Sequence, residues 1–150
     1  MNKFIVDDGL NPQYDCAGLY GATCGNPLPH WRHKLRLGLQ MPNGIGISGQ
    51  WRYVGKVTSE RLSNDEALEG AVPGLQPHVA AQSYFDLAGT FTVGDHYNFR
   101  IGVNNILDKN PPLFTSSRGA CSVVFCNGNS YGGVYDVLGR YIFAGATLNF

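Results

Sequence analysis

The sequence is short of charge, has no excess of either sign, and lacks any long apolar run. Charged residues make up 15% of its 150 positions, against roughly 25% in ordinary soluble domains. Eleven basic and eleven acidic side chains cancel, which leaves no global field to draw nucleic acid and excludes it as a partner. No stretch approaches the ~20 apolar residues of a transmembrane helix. The opening MNKFIVDDGLNP places only Phe4, Ile5 and Val6 before Asp7 and Asp8, short of the ~7 to 15 apolar residues of an export signal. If this chain meets a membrane, strands must cross it.

What is present favours sheet. Hydrophobic residues are 43% of the chain, enough for a sizeable core, and 20 glycines with 12% aromatics suit β structure better than a helical bundle. The four cysteines, Cys16, Cys24, Cys121 and Cys126, sit among Gly, Asn, Ser and Tyr, which places them in loops. Their spacing fits zinc poorly. Disulfides fit better and imply an oxidising compartment. Three connectivities are open, and pairing near neighbours needs no assumption about how distant loops meet.

Period-two alternation organises the chain. From His30 to Gln40, Trp31, His33, Leu35, Leu37 and Leu39 share one face, and Arg32, Lys34, Arg36, Gly38 and Gln40 the other. Met41-Pro42-Asn43-Gly44 is a tight turn, and a second strand runs from there to Val57. A long polar loop spans 58–82, with room for one short helical turn. A second hairpin then pairs Phe85, Leu87, Gly89, Phe91 and Val93 with Tyr97, Phe99, Ile101 and Val103 across a turn at Gly94-Asp95-His96. Another long loop spans about 107–134. The last strand runs from Leu138 to Phe150, and Tyr141 and Phe143 on its polar face make it the least regular of the five.

Strands of about ten residues, joined by connections that go short, long, short, long, share one explanation. A transmembrane barrel needs ~9 to 11 residues per crossing, has short periplasmic turns and long outer loops. The sequence therefore predicts an all-β, antiparallel up-and-down meander of about five long strands, a partial transmembrane β-barrel. Both cysteine pairs then fall outside the cell. Arg32, Lys34, Arg36, Arg52, Lys56 and Arg100 all lie on polar faces. A midplane Arg or Lys facing lipid costs ~2 to 4 kcal/mol, so register is well specified. Arg140 is the one outward cation, at a height where that cost falls to ~0 to 1 kcal/mol.

YFDLAGTFTV, YNFRIGVNNILDKNPP and YDVLGRYIFAGATLNF, which together cover most of Tyr84 to Phe150, resemble the end of a TonB-dependent outer-membrane receptor. The family's Asn-(Leu/Ile/Val)-(Leu/Phe)-Asp-Lys turn before proline is matched by Asn105, Ile106, Leu107, Asp108, Lys109, Pro111 and Pro112. Its final Tyr-Asp and Gly-Arg are matched by Tyr135, Asp136, Gly139 and Arg140. The segments around Trp31-Arg32-His33 and Trp51-Arg52-Tyr53-Val54-Gly55 extend the resemblance over nearly the whole chain. It implies an energised importer of scarce ligands such as siderophores, vitamins or oligosaccharides, with a plugged barrel of roughly 22 strands in the bacterial outer membrane. Five strands do not close a barrel. Residues 1–150 are expected to be the C-terminal strands of such a receptor, without plug or signal peptide.

The partners implied are outer-membrane lipid, the remaining barrel and plug, and the TonB energy-coupling complex through parts absent here. By the same resemblance Ile142, Ala144, Ala146, Leu148 and Phe150 form the signal read by the barrel-assembly machinery, an edge strand able to add to another sheet by main-chain pairing. Arg32, Arg36, Arg52 and Arg100 are candidates for contact with an anionic ligand, with plug acids, or with acids on neighbouring strands. Tyr20, Phe114 and Tyr131 are candidate ligand contacts in the outer loops.

Other chemistry is absent from the pattern. Gly44-Ile45-Gly46-Ile47-Ser48-Gly49 matches G-x-G-x-x-G, but the residues from Gln50 to Val57 alternate with period two and carry no helical stripe. His30 and His33 fall on opposite strand faces and cannot chelate together. Asp65, Glu66 and Glu69 lack calcium-loop spacing. No nucleophile motif appears, so neither an enzyme nor a bound cofactor is expected. The alternative is a soluble secreted β-sandwich binding module of lectin type, which would bury its apolar faces against each other; a secreted hydrolase is more distant.

Overall fold

The structure, a computed structural model, describes residues 4–7, 9, 13–68, 78–94, 96–114 and 129–149. Its strands in chain order are β1 (Ile5–Val6), β2 (Tyr14–Asp15), β3 (Leu19–Tyr20), β4 (Arg32–Gln40), β5 (Ile45–Val54), β6 (Val57–Ser59), β7 (His78–Val79), β8 (Gln82–Val93), β9 (Tyr97–Asn104) and β10 (Tyr141–Leu148), with short 3-10 turns at Glu60–Leu62 and Glu66–Leu68. They belong to two compact units. One comprises Met1–Arg32, Val54–Gln82 and Pro111–Val137; the other comprises His33–Tyr53, Ser83–Asn110 and Leu138–Phe150.

The second unit is built on the five long strands, which hydrogen-bond side by side in the order β10-β9-β8-β5-β4. This is the expected meander. The Met41 amide bonds the Ile45 carbonyl at 2.8 Å and Gly44 takes φ +78°, as the Asn-Gly turn requires. The glycine-rich match from Gly44 to Gly49 lies at and within β5, so it opens no helix.

Register explains why the alternating residues stay together. Across β8, β9 and β10 the pairings place Leu87, Val103 and Ile142 in one row and Phe91, Phe99 and Ala146 in another. Each row is apolar from strand to strand. A slip by one residue would bring the opposite face of one strand into every row. The irregular last strand also finds its reason here. Phe143 shares a row with Gly102 and Ala88; its ring occupies the space a Gly102 Cβ would need, and the Arg100 guanidinium lies over it at 5.0 Å. An aromatic covering a sheet glycine compensates for the missing side chain.

Among the strand boundaries that differ from those the alternation suggests, two have a clear reason in the backbone. β10 begins at Tyr141, because Leu138-Gly139-Arg140 is a turn in which Gly139 takes φ +69°. β5 ends at Val54, and Val57 belongs instead to β6. The break falls at Gly55, whose amide bonds the Trp31 carbonyl at 3.0 Å and where a Cβ would come within 2.7 Å of that oxygen. Phe150 lies outside the described residues, although the Asn149 amide still bonds His96 at 2.9 Å.

The first unit gathers the segments that read as loops around a small core. β3 pairs parallel to β6, and β6 antiparallel to β7. Tyr20, Val54, Val57, Val79, Phe114, Tyr131 and Tyr135 form the core, with Phe114 edge-on to Tyr20 at 5.0 Å and to Tyr131 at 4.7 Å. Tyr20, Phe114 and Tyr131 are at most 2% exposed. They are therefore packing residues, not the exposed ligand contacts the sequence suggested. Cys16 and Cys24 form a disulfide with Cα atoms 5.5 Å apart, which closes a loop worth roughly 2 to 3 kcal/mol on the chain-entropy model. Buried Glu60 fastens the same loop by accepting from the amides of Thr23 at 3.0 Å and Cys24 at 2.7 Å. Cys121 and Cys126 lie outside the described residues.

Burial, then the proximity of Tyr20 and Glu60, pushes the Tyr131 phenol up to about 12. Because the core accepts the neutral phenol, its contribution to stability is complete below the ordinary tyrosine value near 10 and is lost as pH rises through about 12. Absorbance at the tyrosinate band should show a late titrating fraction coincident with loss of near-ultraviolet dichroism above pH ~11. In the sheet, Gly102→Val should destabilise by about 1 to 3 kcal/mol through overpacking against Phe143 and the Leu87 carbonyl, which lies 2.8 Å from a Cβ there. Denaturant midpoints in detergent check this.

Candidate functional site

The five-stranded sheet presents two chemically opposed faces. On one, Leu35, Leu37, Leu39, Ile45, Ile47, Leu87, Ile101 and Ile142 are between 38% and 72% exposed. A β-sandwich would bury this face under a second sheet. Aromatics gather at both ends of it. Near the long connections, His33 stacks on Tyr53 at 5.2 Å, and Trp51 packs edge-on to His33 at 4.6 Å and parallel to Phe85 at 6.1 Å. The Trp51 indole donates to Ser83 Oγ at 3.2 Å. Near the short turns, Phe91 stacks on Phe99 at 4.9 Å. Phe85 and Phe91 are six positions apart on β8, about 20 Å of strand. Aliphatic residues with aromatic girdles above and below are the pattern of a sheet whose outer face meets lipid.

The opposite face is polar and holds a buried ion pair. Asp86, on β8, accepts from Arg52 Nε at 2.7 Å and Nη2 at 2.8 Å, a bidentate pair, and from Gln50 Nε2 at 3.0 Å. The Arg52 guanidinium also lies 5.2 Å from the centre of the Tyr84 ring. The Asp86 side chain is only 9% exposed and that of Arg52 25%, so the pair is shielded from most solvent screening. Planar guanidinium against carboxylate is the geometry that makes such a pair strong.

Asp86 does a second thing. Its Oδ1 accepts the backbone amide of Asn105 at 2.9 Å. Asn105 is fully buried with φ +52°, a left-handed conformation that Asn tolerates better than most residues. Its side chain bonds Lys109 twice, donating to the carbonyl and accepting from the amide, both at 2.9 Å. The Asp108 carboxylate then accepts the Arg140 amide at 2.9 Å, and a Cβ at Gly139 would lie 3.2 Å from that same oxygen. Asn105-Ile106-Leu107-Asp108-Lys109 and Gly139-Arg140 are thus one hydrogen-bonded assembly, held at its base by the ion pair. Arg140 stands in this turn, where its guanidinium is 3.8 Å from Asp108.

Among the candidate cations, Arg52 is engaged by a neighbouring strand's carboxylate, Arg100 by Phe143, and Arg36 by Ser48 Oγ at 3.2 Å. Arg32 and Arg36 are exposed on β4. The four do not converge on one site. Ile142, Ala144, Ala146 and Leu148 share one face of edge strand β10, as expected. The sequence did not single out Asp86. The signal was present, since Asp86 is the one acidic residue on the polar faces of the long strands, and only pairing β5 directly with β8 across a long insertion reveals its partner.

Removing the carboxylate with Asp86→Ala would leave Arg52 shielded and unpaired and release the Asn105 amide. The expected cost is about 3 kcal/mol. Asp86→Asn, which keeps an acceptor, should cost less. Detergent-denaturation midpoints rank the two, and near-equal midpoints for Asp86→Ala and the parent chain would contradict the assignment.

No protein-family model and no curated protein matches the chain. Among solved structures it is similar to a single-substitution variant of the ferric enterobactin receptor of Pseudomonas aeruginosa. The TM-score is 0.56 and the identity 20%, over 78% of this chain and 16% of that one. The chain therefore spans about a sixth of the receptor it matches. At that identity the likeness is one of fold: this all-β chain, with its antiparallel meander of five long strands, has the fold of a partial β-barrel.

Proposed function

We propose that this chain is the C-terminal strand segment of a TonB-dependent outer-membrane receptor, part of a barrel that takes up a scarce ligand such as a siderophore, a vitamin or an oligosaccharide. The observation that carries the reading is the apolar face of the five-stranded sheet, exposed from edge to edge and in register from β8 to β10. Exposed apolar surface of that extent requires a partner phase, and strands of eight to twelve residues suit the thickness of a bilayer. The similar structure is that of a ferric enterobactin receptor; for this chain the proposal is the transport class alone.

In this reading the turn at 41–44 and the connection between β8 and β9 face the periplasm, and the Cys16–Cys24 disulfide lies outside the cell, where oxidation is maintained. The remaining strands, the plug and the segment engaging the energy-coupling complex belong to the rest of the receptor. Ile142, Ala144, Ala146, Leu148 and Phe150 are read by the assembly machinery.

Two experiments test this. A midplane charge on the apolar face, Leu37→Arg, should lower insertion into phospholipid vesicles by about 2 to 4 kcal/mol, whereas Gly38→Arg on the polar face should leave insertion nearly unchanged. Equal effects would contradict the lipid-facing assignment. For transport, the coding segment with its flanking reading frame, expressed in an uptake-deficient host, should restore growth when a ferric chelate, cobalamin or an oligosaccharide is scarce. Growth no better than the empty vector on all three would sink the transport reading.

A further inference from the structure

Both edges of the five-stranded sheet are unpaired among the described residues, and their directions and charges define what completes them. β8, β9 and β10 pair antiparallel, the tight turn bonded from Met41 to Ile45 reverses β4 into β5, and β5 runs against β8 with Gly44 beside Thr92 at one end and Arg52 beside Asp86 at the other, so the edge strands β4 and β10 run the same way. An antiparallel neighbour must run opposite to both. A piece that closes the sheet with antiparallel pairs at each edge therefore begins and ends with strands of one direction, which requires an odd number of strands. A second copy of this sheet cannot do this. Joining β10 of one copy to β4 of another, with the long connections on the same side, would force parallel pairing. In hydrocarbon an unpaired strand edge costs several kcal/mol for each exposed amide or carbonyl, so the edges cannot stay bare there.

Charge adds the chemistry. The polar face of β4 carries Arg32, Lys34 and Arg36 in succession, all exposed. The inner neighbour supplies no carboxylate. Arg36 meets the Ser48 hydroxyl, the remaining polar-face residues of β5 are Gly46, Gln50 and Arg52, with Val54 at its end, and Asp86 is occupied by Arg52. No carboxylate among the described residues comes within 4.0 Å of Arg32, Lys34 or Arg36. The polar face of β10 offers Tyr141, Phe143, Gly145 and Thr147 and no charge. Like charges set directly across a strand pair repel and opposite charges attract. The demand for acid is thus confined to the β4 edge.

We infer that β4 docks an antiparallel amphipathic strand bearing carboxylates at alternate positions on its polar face. This rests on the barrel reading and specifies the chemistry of the surface that completes it. Apolar residues of the docked strand continue the Leu35, Leu37 and Leu39 face, and its acids stand opposite Lys34 and Arg36.

The test uses the full chain in dilauroylphosphatidylcholine vesicles with a photo-crosslinking residue at Leu37, on the β4 edge. The probes are two synthetic strands of about ten residues, identical and alternating apolar with threonine, except that one carries two glutamates and the other two lysines on the polar face. At low salt the glutamate strand should crosslink about tenfold more than the lysine strand. Lys34→Glu combined with Arg36→Glu should invert the preference. Lys34→Gln with Arg36→Gln, a milder change, should bring the ratio close to one. With the crosslinker moved to Ile142, on β10, the two probes should react alike. Equal yields at Leu37, a preference unmoved by either double variant, or the same acidic preference at Ile142 would each overturn the inference. Quenching of Trp51 by brominated acyl chains is read in the same samples. Absent quenching would contradict the barrel reading, whatever the probes do.

Discussion

The shared register of apolar rows is the constraint on which the rest of this molecule depends. Each long strand alternates, but alternation alone makes five separate amphipathic ribbons. Pairing Leu87 with Val103 and Val103 with Ile142 turns them into one face. Every cation on the long strands then falls on the other side, where the sheet can hold an ion pair such as Arg52–Asp86 without bringing it to the apolar face. Even the aromatic that breaks the pattern, Phe143, serves the register, because it fills the space over Gly102 and gives Arg100 a neutral contact.

Asp86 links this sheet to the turn after β9. A lone shielded carboxylate would be costly, and here it accepts from Arg52, from Gln50 and from the Asn105 amide. Asn105 in turn organises the residues to Lys109, and Asp108 receives the chain again at Arg140 as it enters the last strand. The Asn-Ile-Leu-Asp-Lys and Gly-Arg signatures, separated by about thirty residues of sequence, are two halves of one hydrogen-bonded unit. That gives a physical reason for residue types which the sequence resemblance supplies only as a pattern.

How much was legible depends on how local each signal is. The five strands and both tight turns were readable because side-chain periodicity and an Asn-Gly turn are properties of neighbouring residues. The Cys16–Cys24 pairing was readable as the near-neighbour choice. The segments that looked like loops concealed their order, since β6 and β7 are two or three residues long and acquire meaning only by packing with β3. Polar surroundings disguised Tyr20, Phe114 and Tyr131 as exposed aromatics, whereas chain segments distant in sequence bring them into one core. The partner of Arg52 was hidden for the same reason: β8 is next to β5 in the sheet but not in the chain.

The central claim is that one face of the sheet lies against lipid and the other does not. Spin labels placed one at a time from Phe85 to Thr92 on β8, in the full chain reconstituted into phospholipid vesicles, test it most directly. Collisional relaxation by oxygen, which concentrates in hydrocarbon, should alternate with a period of two residues, high at Phe85, Leu87, Gly89 and Phe91 and low at Asp86, Ala88, Thr90 and Thr92. Uniform oxygen accessibility along the strand, or alternation of the opposite phase, would contradict the account.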